Sequence, residues 1–246
     1  SPDKQWTIAN IPDEEDTLSW YYGNGLCLYN INSKQTINID DEFASQSIFL
    51  DFWDNDHIYY YDELIISLKD IKLRGIHNYE NIMASIMAVK EFNCSNVSIK
   101  EVLENFYGVE HRLEFVKEVN NVKYYNDTEA TNIKCTQIAL SSFNEPTILI
   151  LGGYERGQDF NLLLPFTNNV KTIIAIGQTK DRVEDFAIKN NIACYKFETL
   201  KESFTKIKEI IKPGDVVLLS PASASWDQYN RCEERGDEFK KYVNTL

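Results

Sequence analysis

Apolar runs of strand length alternate with amphipathic segments of helix length along the second half of the chain. The apolar runs lie at residues 122–125, 147–151, 172–176, 193–197 and 215–219. The amphipathic segments lie at residues 132–143, 181–190 and 199–211, with one more at the carboxyl end. Near-continuous apolar strands separated by helices are typical of a parallel sheet that is covered on both faces. The pattern therefore predicts a Rossmann-like, doubly wound α/β domain with a mostly parallel sheet.

The first half of the chain has a different pattern, with short alternating bursts that are rich in aromatic residues. These bursts lie at residues 6–9, 26–31, 47–52 and 58–61. Asn24-Gly25 and Asn32-Ser33 fall between bursts and are typical turn residues, so we predict antiparallel hairpins. Two helices should follow, at residues 79–92 with Asn78 as N-cap and at residues 99–106. We place the boundary between the two units near Val109.

Composition and charge exclude several classes of protein. The 246 residues contain 25 Lys and Arg against 38 Asp and Glu, a formal net charge of −13, whereas nucleic-acid binding needs a clustered basic surface. No run approaches the roughly 18 apolar residues of a membrane span, and the first residues lack the pattern of a signal peptide. The five cysteines are scattered, which indicates reduced thiols without a zinc site or disulfide framework. We expect a cytoplasmic monomer that binds neither nucleic acid nor membrane.

Polar, small and charged residues collect where three of the predicted strands end. They occupy residues 126–132, 152–159 and 220–225. In open α/β sheets, ligands bind outside the carboxyl ends of the strands, so these loops form the candidate site. The same residue types are also ordinary in turns and helix caps, and for each loop taken alone the structural explanation stays open.

Two nucleotide-binding motifs fail at the second of these loops. Gly152 and Gly157 have the spacing of a phosphate loop, but Gln158-Asp159 stands where Lys-Ser or Lys-Thr would hold phosphate and Mg²⁺. Tyr154 stands where a dinucleotide-binding motif needs its second glycine. No Gly-Lys-Ser or Gly-Lys-Thr occurs anywhere in the sequence. The sequence therefore predicts neither a phosphate loop nor a dinucleotide site.

Several strings taken together resemble the Mur ligases, and most of all the branch of that family that adds D-glutamate. They lie at residues 75–81, 111–114, 126–132, 151–160 and 220–236, in the order and with about the spacing of that family. The most specific string is the last one, which runs from Ser220-Pro-Ala-Ser-Ala-Ser-Trp-Asp-Gln-Tyr229 through Glu234-Arg-Gly236. The resemblance extends from about Leu73 to the end, and residues 1–72 fit loosely as the late part of a central domain.

The resemblance implies an ATP- and Mg²⁺-dependent acid–amino-acid ligase of peptidoglycan synthesis. ATP would phosphorylate the carboxylate of UDP-N-acetylmuramoyl-L-alanine, and the amine of D-glutamate would attack the acyl phosphate. Residues 1–109 would be the carboxyl-terminal portion of the central ATPase domain, and residues 110–246 the C-terminal, amino-acid-binding domain. We expect the chain to be the C-terminal part of such a ligase, without its UDP-sugar-binding domain and phosphate loop, and to have no turnover alone.

The resemblance also implies roles for nine residues, none of them catalytic or metal-ligating. For ATP, these are Asn78 and Asn81 at the adenine and Arg112 and Asp127 at the ribose. For D-glutamate, they are Thr131, Arg156, Ser225, Trp226 and Cys232. Two alternatives remain: Asn78 and Asn81 are an N-cap and its neighbour, and Arg112 forms an interdomain salt bridge.

Two positions depart from the family pattern. Glu129 stands where many members have lysine, and we expect its side chain to point to solvent. Arg156 stands where the family has a D-glutamate-binding lysine, and arginine is bulkier and donates in a plane. Two rival functions therefore remain, a different Mur-type or folylpolyglutamate-type amino-acid ligase and a non-catalytic α/β binding module.

Overall fold

The computed structural model describes residues 28–30, 35–37, 52–53, 56–60 and 63–246. The chain divides into two compact units between Phe106 and Tyr107, and each is described by itself. The predicted strand at residues 6–9, the predicted turns at Asn24-Gly25 and Asn32-Ser33, and residues 47–51 of another predicted burst lie outside the described residues.

The first unit contains two small antiparallel sheets. Strands β1 (Leu28–Asn30) and β2 (Gln35–Ile37) pair with Leu28 opposite Ile37. Strands β3 (Phe52–Trp53), β4 (His57–Tyr60) and β5 (Glu63–Ser67) form the second sheet in that order. The prediction of antiparallel hairpins is confirmed for these strands.

Two helices complete the first unit, α1 (Ile76–Lys90) and α2 (Asn96–Asn105). The prediction of Asn78 as N-cap is wrong, because α1 begins two residues before Asn78 and Gly75 occupies the cap position. The core of this unit includes Ile58, Ile66, Met83 and Ile86, which are almost fully buried. The buried face of α1, which carries Ile82, Met83 and Ile86, therefore packs in this core.

The second unit contains a six-stranded sheet flanked by four α-helices. Its strands are β6 (Glu114–Val119), β7 (Val122–Asn126), β8 (Thr147–Gly152), β9 (Val170–Ile176), β10 (Ala193–Phe197) and β11 (Val216–Leu219). The helices are α3 (Ile133–Leu140), α4 (Lys180–Lys189), α5 (Leu200–Ile210) and α6 (Cys232–Asn244), and a 3₁₀ segment spans Phe160–Phe166. The order across the sheet is β10-β9-β8-β11-β7-β6, and every pair is parallel except β6 with β7. The predicted mostly parallel α/β fold is confirmed.

Alternate residues of the central strands point into two separate cores. Leu149 and Leu218 belong to one apolar cluster and Ile148 and Val217 to the other, and all four are fully buried. Burial of each such side chain stabilises the folded state by about 1.5 to 3 kcal/mol relative to leaving it exposed. Because β8, β11 and β7 are neighbours in the sheet, the loops that follow them leave at one edge.

No helix within the described part of the chain has the length and apolar character to cross a bilayer.

Candidate functional site

The loops after β7, β8 and β11 are joined to one another by backbone hydrogen bonds. The amide of Tyr154 donates to the carbonyl of Ala224 at 2.8 Å, and the amide of Gly152 donates to the carbonyl of Pro221 at 2.9 Å. The amide of Asp127 donates to the carbonyl of Leu219 at 2.8 Å. The three loops predicted to form a site therefore lie together at one edge of the sheet.

Close approach of the backbones explains a glycine in the loop after β8. Gly153 has φ of 148°, and a Cβ atom there would lie 2.4 Å from the carbonyl oxygen of Ala224. That separation is far below contact distance, and the obstacle is backbone rather than a side chain that could move. The loops after β8 and β11 can meet at this distance because position 153 has no side chain.

Arg235 of α6 links the loops after β7 and β11, and sequence reasoning missed it. Its side chain is about 1% exposed. The guanidinium donates to Thr128 Oγ1 at 3.0 Å, to the Thr128 carbonyl at 3.1 Å and to the Ser223 carbonyl at 3.0 Å, with a longer contact of 3.4 Å to the Ala224 carbonyl. These acceptors are neutral, and burial lowers the pKa of Arg235 to about 10, so the group stays charged at neutral pH. Glu234-Arg-Gly236 lay within the string most typical of the family, which was the available signal.

Asp127, the first residue after β7, is buried and engaged at both carboxyl oxygens. Oδ1 accepts from the amide of Leu113 at 3.1 Å, and Oδ2 accepts from Ser220 Oγ at 2.8 Å. Burial raises the pKa of Asp127 to about 7, and the hydrogen bonds from Ser220 and Leu113 oppose that rise. This carboxyl group therefore ties the start of the second unit to the loop after β11.

Arg112 and Glu129 contact each other within the second unit. Their charged groups are 3.9 Å apart, and the Arg112 side chain is 69% exposed. This ion pair involves no residue of the first unit, unlike the interdomain salt bridge considered as an alternative. Exposed pairs of this length contribute little to stability.

The expectation that Glu129 points to solvent is wrong. Its side chain is only 30% exposed, and the thiol of Cys232 donates to its Oε1 at 3.4 Å. Thr131 follows on the same loop, half-buried, and its amide donates to the Glu129 carbonyl at 2.7 Å. The residue that departs from the family pattern therefore belongs to the site.

Ser225 has a buried hydroxyl group without a hydrogen-bond partner. The residue is 1% exposed, and its Oγ has no partner within the part of the chain that the structure describes. A buried polar group left unpaired costs about 1 to 3 kcal/mol, and such an exception in a folded protein calls for an explanation. A ligand that hydrogen-bonds to Ser225 would remove this cost.

Arg156 and Trp226 are in direct contact. The guanidinium carbon of Arg156 lies 5.5 Å from the centre of the Trp226 ring, and the Tyr154 ring lies 5.8 Å from Trp226 at 60°. Trp226 is 60% exposed. A planar cation stacked on an aromatic ring keeps its N–H groups available to a carboxylate.

The two asparagines predicted at the adenine lie in the first unit. Asn78 is in the first turn of α1, and its Nδ2 donates to the carbonyl of Arg74 at 2.6 Å. Asn81 is exposed, and residues three apart on a helix share a face. The side chain of Asn78 therefore hydrogen-bonds to the backbone just before the helix, although Asn78 is not the N-cap residue.

Neither of the two clusters of possible metal ligands among the described residues suits Mg²⁺. Glu129, Cys232 and Glu233 offer ligand atoms within 4.8 Å of one another, but burial and the neighbouring Glu129 raise the pKa of the Cys232 thiol to about 11. A protonated thiol is a poor ligand for Mg²⁺, which takes oxygen ligands. In the second group, Glu110, His111 and Asp237, both carboxylates contact the ammonium group of Lys240.

Comparison with known proteins matches this domain to one family. The family described as "Mur ligase, glutamate ligase domain" matches residues 111–223. The UDP-N-acetylmuramoylalanine–D-glutamate ligase of Oenococcus oeni is 48% identical over 187 residues, which are 76% of this chain and 43% of that protein. The enzyme of the same name from Shouchella clausii is 45% identical over 189 residues, 77% of this chain and 42% of that protein. The chain thus spans less than half the length of these curated relatives.

Solved structures show the same fold at low sequence identity. UDP-N-acetylmuramate-alanine ligase MurC from Thermotoga maritima matches with a TM-score of 0.56 and 17% identity, covering 77% of this chain and 43% of that one. MurF from Acinetobacter baumannii matches with a TM-score of 0.53 and 16% identity, covering 78% of this chain and 42% of that one. The family description and the curated relatives agree that residues 111–223 are a Mur ligase glutamate ligase domain, and the solved structures have the same fold.

Proposed function

We propose that this chain is part of a cytoplasmic, ATP-dependent ligase that adds D-glutamate to UDP-N-acetylmuramoyl-L-alanine in peptidoglycan synthesis. Residues 1–109 would belong to the central ATPase domain and residues 110–246 to the domain that binds the amino acid. The relatives at 45–48% identity carry the name of that activity. The proposed chemistry is transfer of the γ-phosphoryl group of ATP to the substrate carboxylate with release of ADP, followed by attack of the D-glutamate amine on the acyl carbon, which forms the amide bond and releases phosphate.

The observation that carries the proposal is the unpartnered Ser225 hydroxyl next to Trp226, on which Arg156 is stacked. A dicarboxylic amino acid needs hydroxyl and cationic donors, and a guanidinium can hold one carboxylate by two hydrogen bonds. Arg156 and Ser225 would bind and orient the amino acid, with Thr131, Trp226 and Cys232 around it. Holding the amine close to the acyl phosphate is the contribution that such residues make to the rate.

The nucleotide side of the proposal rests on Asn78, Asn81, Arg112 and Asp127. We propose that the two amides contact the adenine and that Arg112 and Asp127 lie at the ribose. Each oxygen of Asp127 already accepts one hydrogen bond within the chain, and a carboxylate oxygen can accept a second one from a ribose hydroxyl group. Mg²⁺ would be required together with ATP, and we assign it no residue of this chain.

The test is phosphate release by the complete gene product given ATP, Mg²⁺ and UDP-N-acetylmuramoyl-L-alanine. We expect release to require D-glutamate rather than L-glutamate, D-glutamine or D-alanine, and the 246 residues alone to give none because they contain no Gly-Lys-Ser or Gly-Lys-Thr. Ser225→Ala and Arg156→Ala should each raise the KM for D-glutamate, while Lys201→Ala on the exposed face of α5 should not. Release with a different amino acid would assign the chain to another ligase of the family, and normal D-glutamate dependence in both variants would contradict the proposed site.

A further inference from the structure

Arg156 is a cation without an ion pair within the described part of an acidic chain. The full sequence carries a net charge of −13, and no salt bridge involves the Arg156 side chain within residues 63–246. Its backbone amide donates to Gln158 Oε1 at 2.9 Å, which fixes the backbone of the loop after β8. The guanidinium itself contacts the ring of Trp226.

The acidic residues next to Arg156 and Trp226 in the chain are each engaged elsewhere. Glu155 Oε1 accepts from Arg182 Nη1 at 2.6 Å and from the amide of Gly157 at 2.6 Å, and the hydrogen bond from Arg182 lowers the pKa of Glu155. Asp227 Oδ2 accepts from the amide of Gln178 at 3.0 Å. Both of these neighbouring carboxylates therefore accept hydrogen bonds from groups other than Arg156.

Arg182 is itself fixed in place from three sides. Besides the contact with Glu155, its Nη2 donates to the Gln158 carbonyl at 2.6 Å, and its guanidinium lies 5.5 Å from the centre of the Phe160 ring. Arg156 and Arg182 thus each lie over an aromatic ring, that of Trp226 and that of Phe160. One is neutralised by Glu155 and the other is left unpaired.

We propose that Trp226 and Arg182 are positioning residues that act through Arg156, a role that rests on the proposed function. Trp226 holds the guanidinium by its face, so that the N–H groups along its edge stay free for a carboxylate of the incoming amino acid. Arg182 captures Glu155, so that this internal carboxylate does not compete with that ligand.

If Glu155 competes for Arg156, removing Glu155 should reverse the effect of removing Arg182. A purely structural role for the Arg182–Glu155 salt bridge does not predict this reversal. In the complete protein, Arg182→Gln should raise the KM for D-glutamate about five-fold or more with little change in kcat, because the freed Glu155 pairs with Arg156. Adding Glu155→Gln to that variant should bring the KM back toward the wild-type value. If the pair were only structural, the double variant would be impaired as much as the single one.

The role of Trp226 is tested by removing or keeping its aromatic ring. Trp226→Leu should raise the KM for D-glutamate several-fold, and Trp226→Phe, which keeps a ring face, should raise it less. Tyr195→Leu is the matched control, because Lys206 lies 4.6 Å from the centre of that exposed ring on the edge strand β10, and the KM should not change. An unchanged KM in Arg182→Gln and Trp226→Leu would overturn the proposal.

A binding measurement on the 246-residue chain separates this proposal from the proposed function. With ¹⁵N-labelled tryptophan, the indole signal that Trp226→Phe removes should shift on addition of D-glutamate or glutarate, and Arg182→Gln should weaken that response several-fold. Suppose that both compounds shift the signal but the complete gene product releases no phosphate in response to D-glutamate. That result would contradict the proposed function and support the carboxylate-binding site. No shift with either compound would overturn the positioning roles.

Discussion

Two ionisable side chains are buried where the three site loops meet, and they differ in how the protein compensates them. Arg235 donates hydrogen bonds to a hydroxyl group and to backbone carbonyls. Asp127 accepts hydrogen bonds from a hydroxyl group and a backbone amide. Neither has an opposite charge in direct contact among the described residues. Their hydrogen bonds, rather than ion pairs, therefore determine what happens when either is changed.

Replacing Arg235 with methionine should destabilise the second unit by about 2 kcal/mol or more, because several buried acceptors would lose their donor. Urea unfolding followed by circular dichroism measures the change. Arg231→Met, at an exposed arginine just before α6, is the matched control and should stay within about 0.5 kcal/mol. Equal stability of the two variants would show that the guanidinium is not what holds these loops.

Asp127 should make stability depend on pH between about 4 and 7. Its ordinary pKa is 3.8 and its folded pKa is about 7, so in this window the folded state binds the proton more tightly than the unfolded state. The free energy of unfolding then falls as the pH rises through the window. Asp127→Asn removes this dependence, so its stability relative to the wild type should improve by roughly 2 to 4 kcal/mol from pH 4 to pH 8. Urea titrations at several pH values measure it, and a constant difference between the two proteins would contradict the raised pKa.

The sequence located the candidate residues on the correct loops but not their surroundings. Strand ends and small polar residues predict where Asp127, Arg156 and Ser225 lie, since the carboxyl ends of parallel strands share an edge. Sequence alone could not predict that Arg235 is buried, because arginine is ordinarily exposed. Nor could the sequence predict where the Glu129 side chain points, because that depends on the thiol of Cys232 at the start of α6.

Helix α6 is the element that fixes the site loops to the sheet. Arg235 contacts the loops after β7 and β11, and Gly236 lies against His111, Asn126 and Thr128. His111 Nδ1 lies 3.0 Å from Asn126 Nδ2. The helix thus approaches the end of β7 closely at one residue without a side chain.

Gly236→Ala should destabilise the protein, although alanine is the better helix former by about 1 kcal/mol. A Cβ atom there would lie 2.4 Å from His111 Nδ1 and 2.7 Å from Thr128 Cγ2, and overpacking of this kind costs about 1 to 3 kcal/mol. Thermal unfolding followed by circular dichroism measures the change. Lys241→Ala, at an exposed position of the same helix, controls for helix propensity, and a Gly236→Ala protein more stable than the wild type would contradict the close approach.

At the level of elements, the strands with continuous apolar runs were predicted to within two residues at each end. Strand β6 was missed because its residues are only partly buried and charged residues interrupt its apolar ones. Asn120 and Asn121 both have positive φ, 52° and 62°, and Asn-Asn between two short runs was the available hairpin signal. The 3₁₀ segment at Phe160–Phe166 was also missed, because its apolar residues and Pro165 do not follow a helical period.

For the molecule as a whole, the sequence predicted two units and the fold of the second, because hydrophobic periodicity is strong there. The first unit was predicted less fully, since its strands are short and antiparallel and strands β2 and β5 were not identified. The second unit has apolar clusters on both faces of its sheet. These clusters are formed entirely by residues of that unit.

Residues 107–246 should therefore fold when expressed alone. We expect a cooperative urea transition and well-dispersed amide signals in a ¹H–¹⁵N NMR spectrum, because two complete cores are retained. Arg235→Met should destabilise this shorter chain about as much as the full one. Poorly dispersed signals would show that the second unit depends on the first.

The way Arg235 binds its loops has a consequence for how the specificity of such a domain could diverge. Its contacts with Ser223 and Ala224, and one of its two with Thr128, are to main-chain carbonyls, which every amino acid offers equally. Side chains at positions 131, 156 and 226 could then be exchanged while the frame beneath them stays intact. A common scaffold of this kind would let descendants acquire new amino-acid substrates through a few surface replacements, and it gives protein engineers a defined set of positions to randomise.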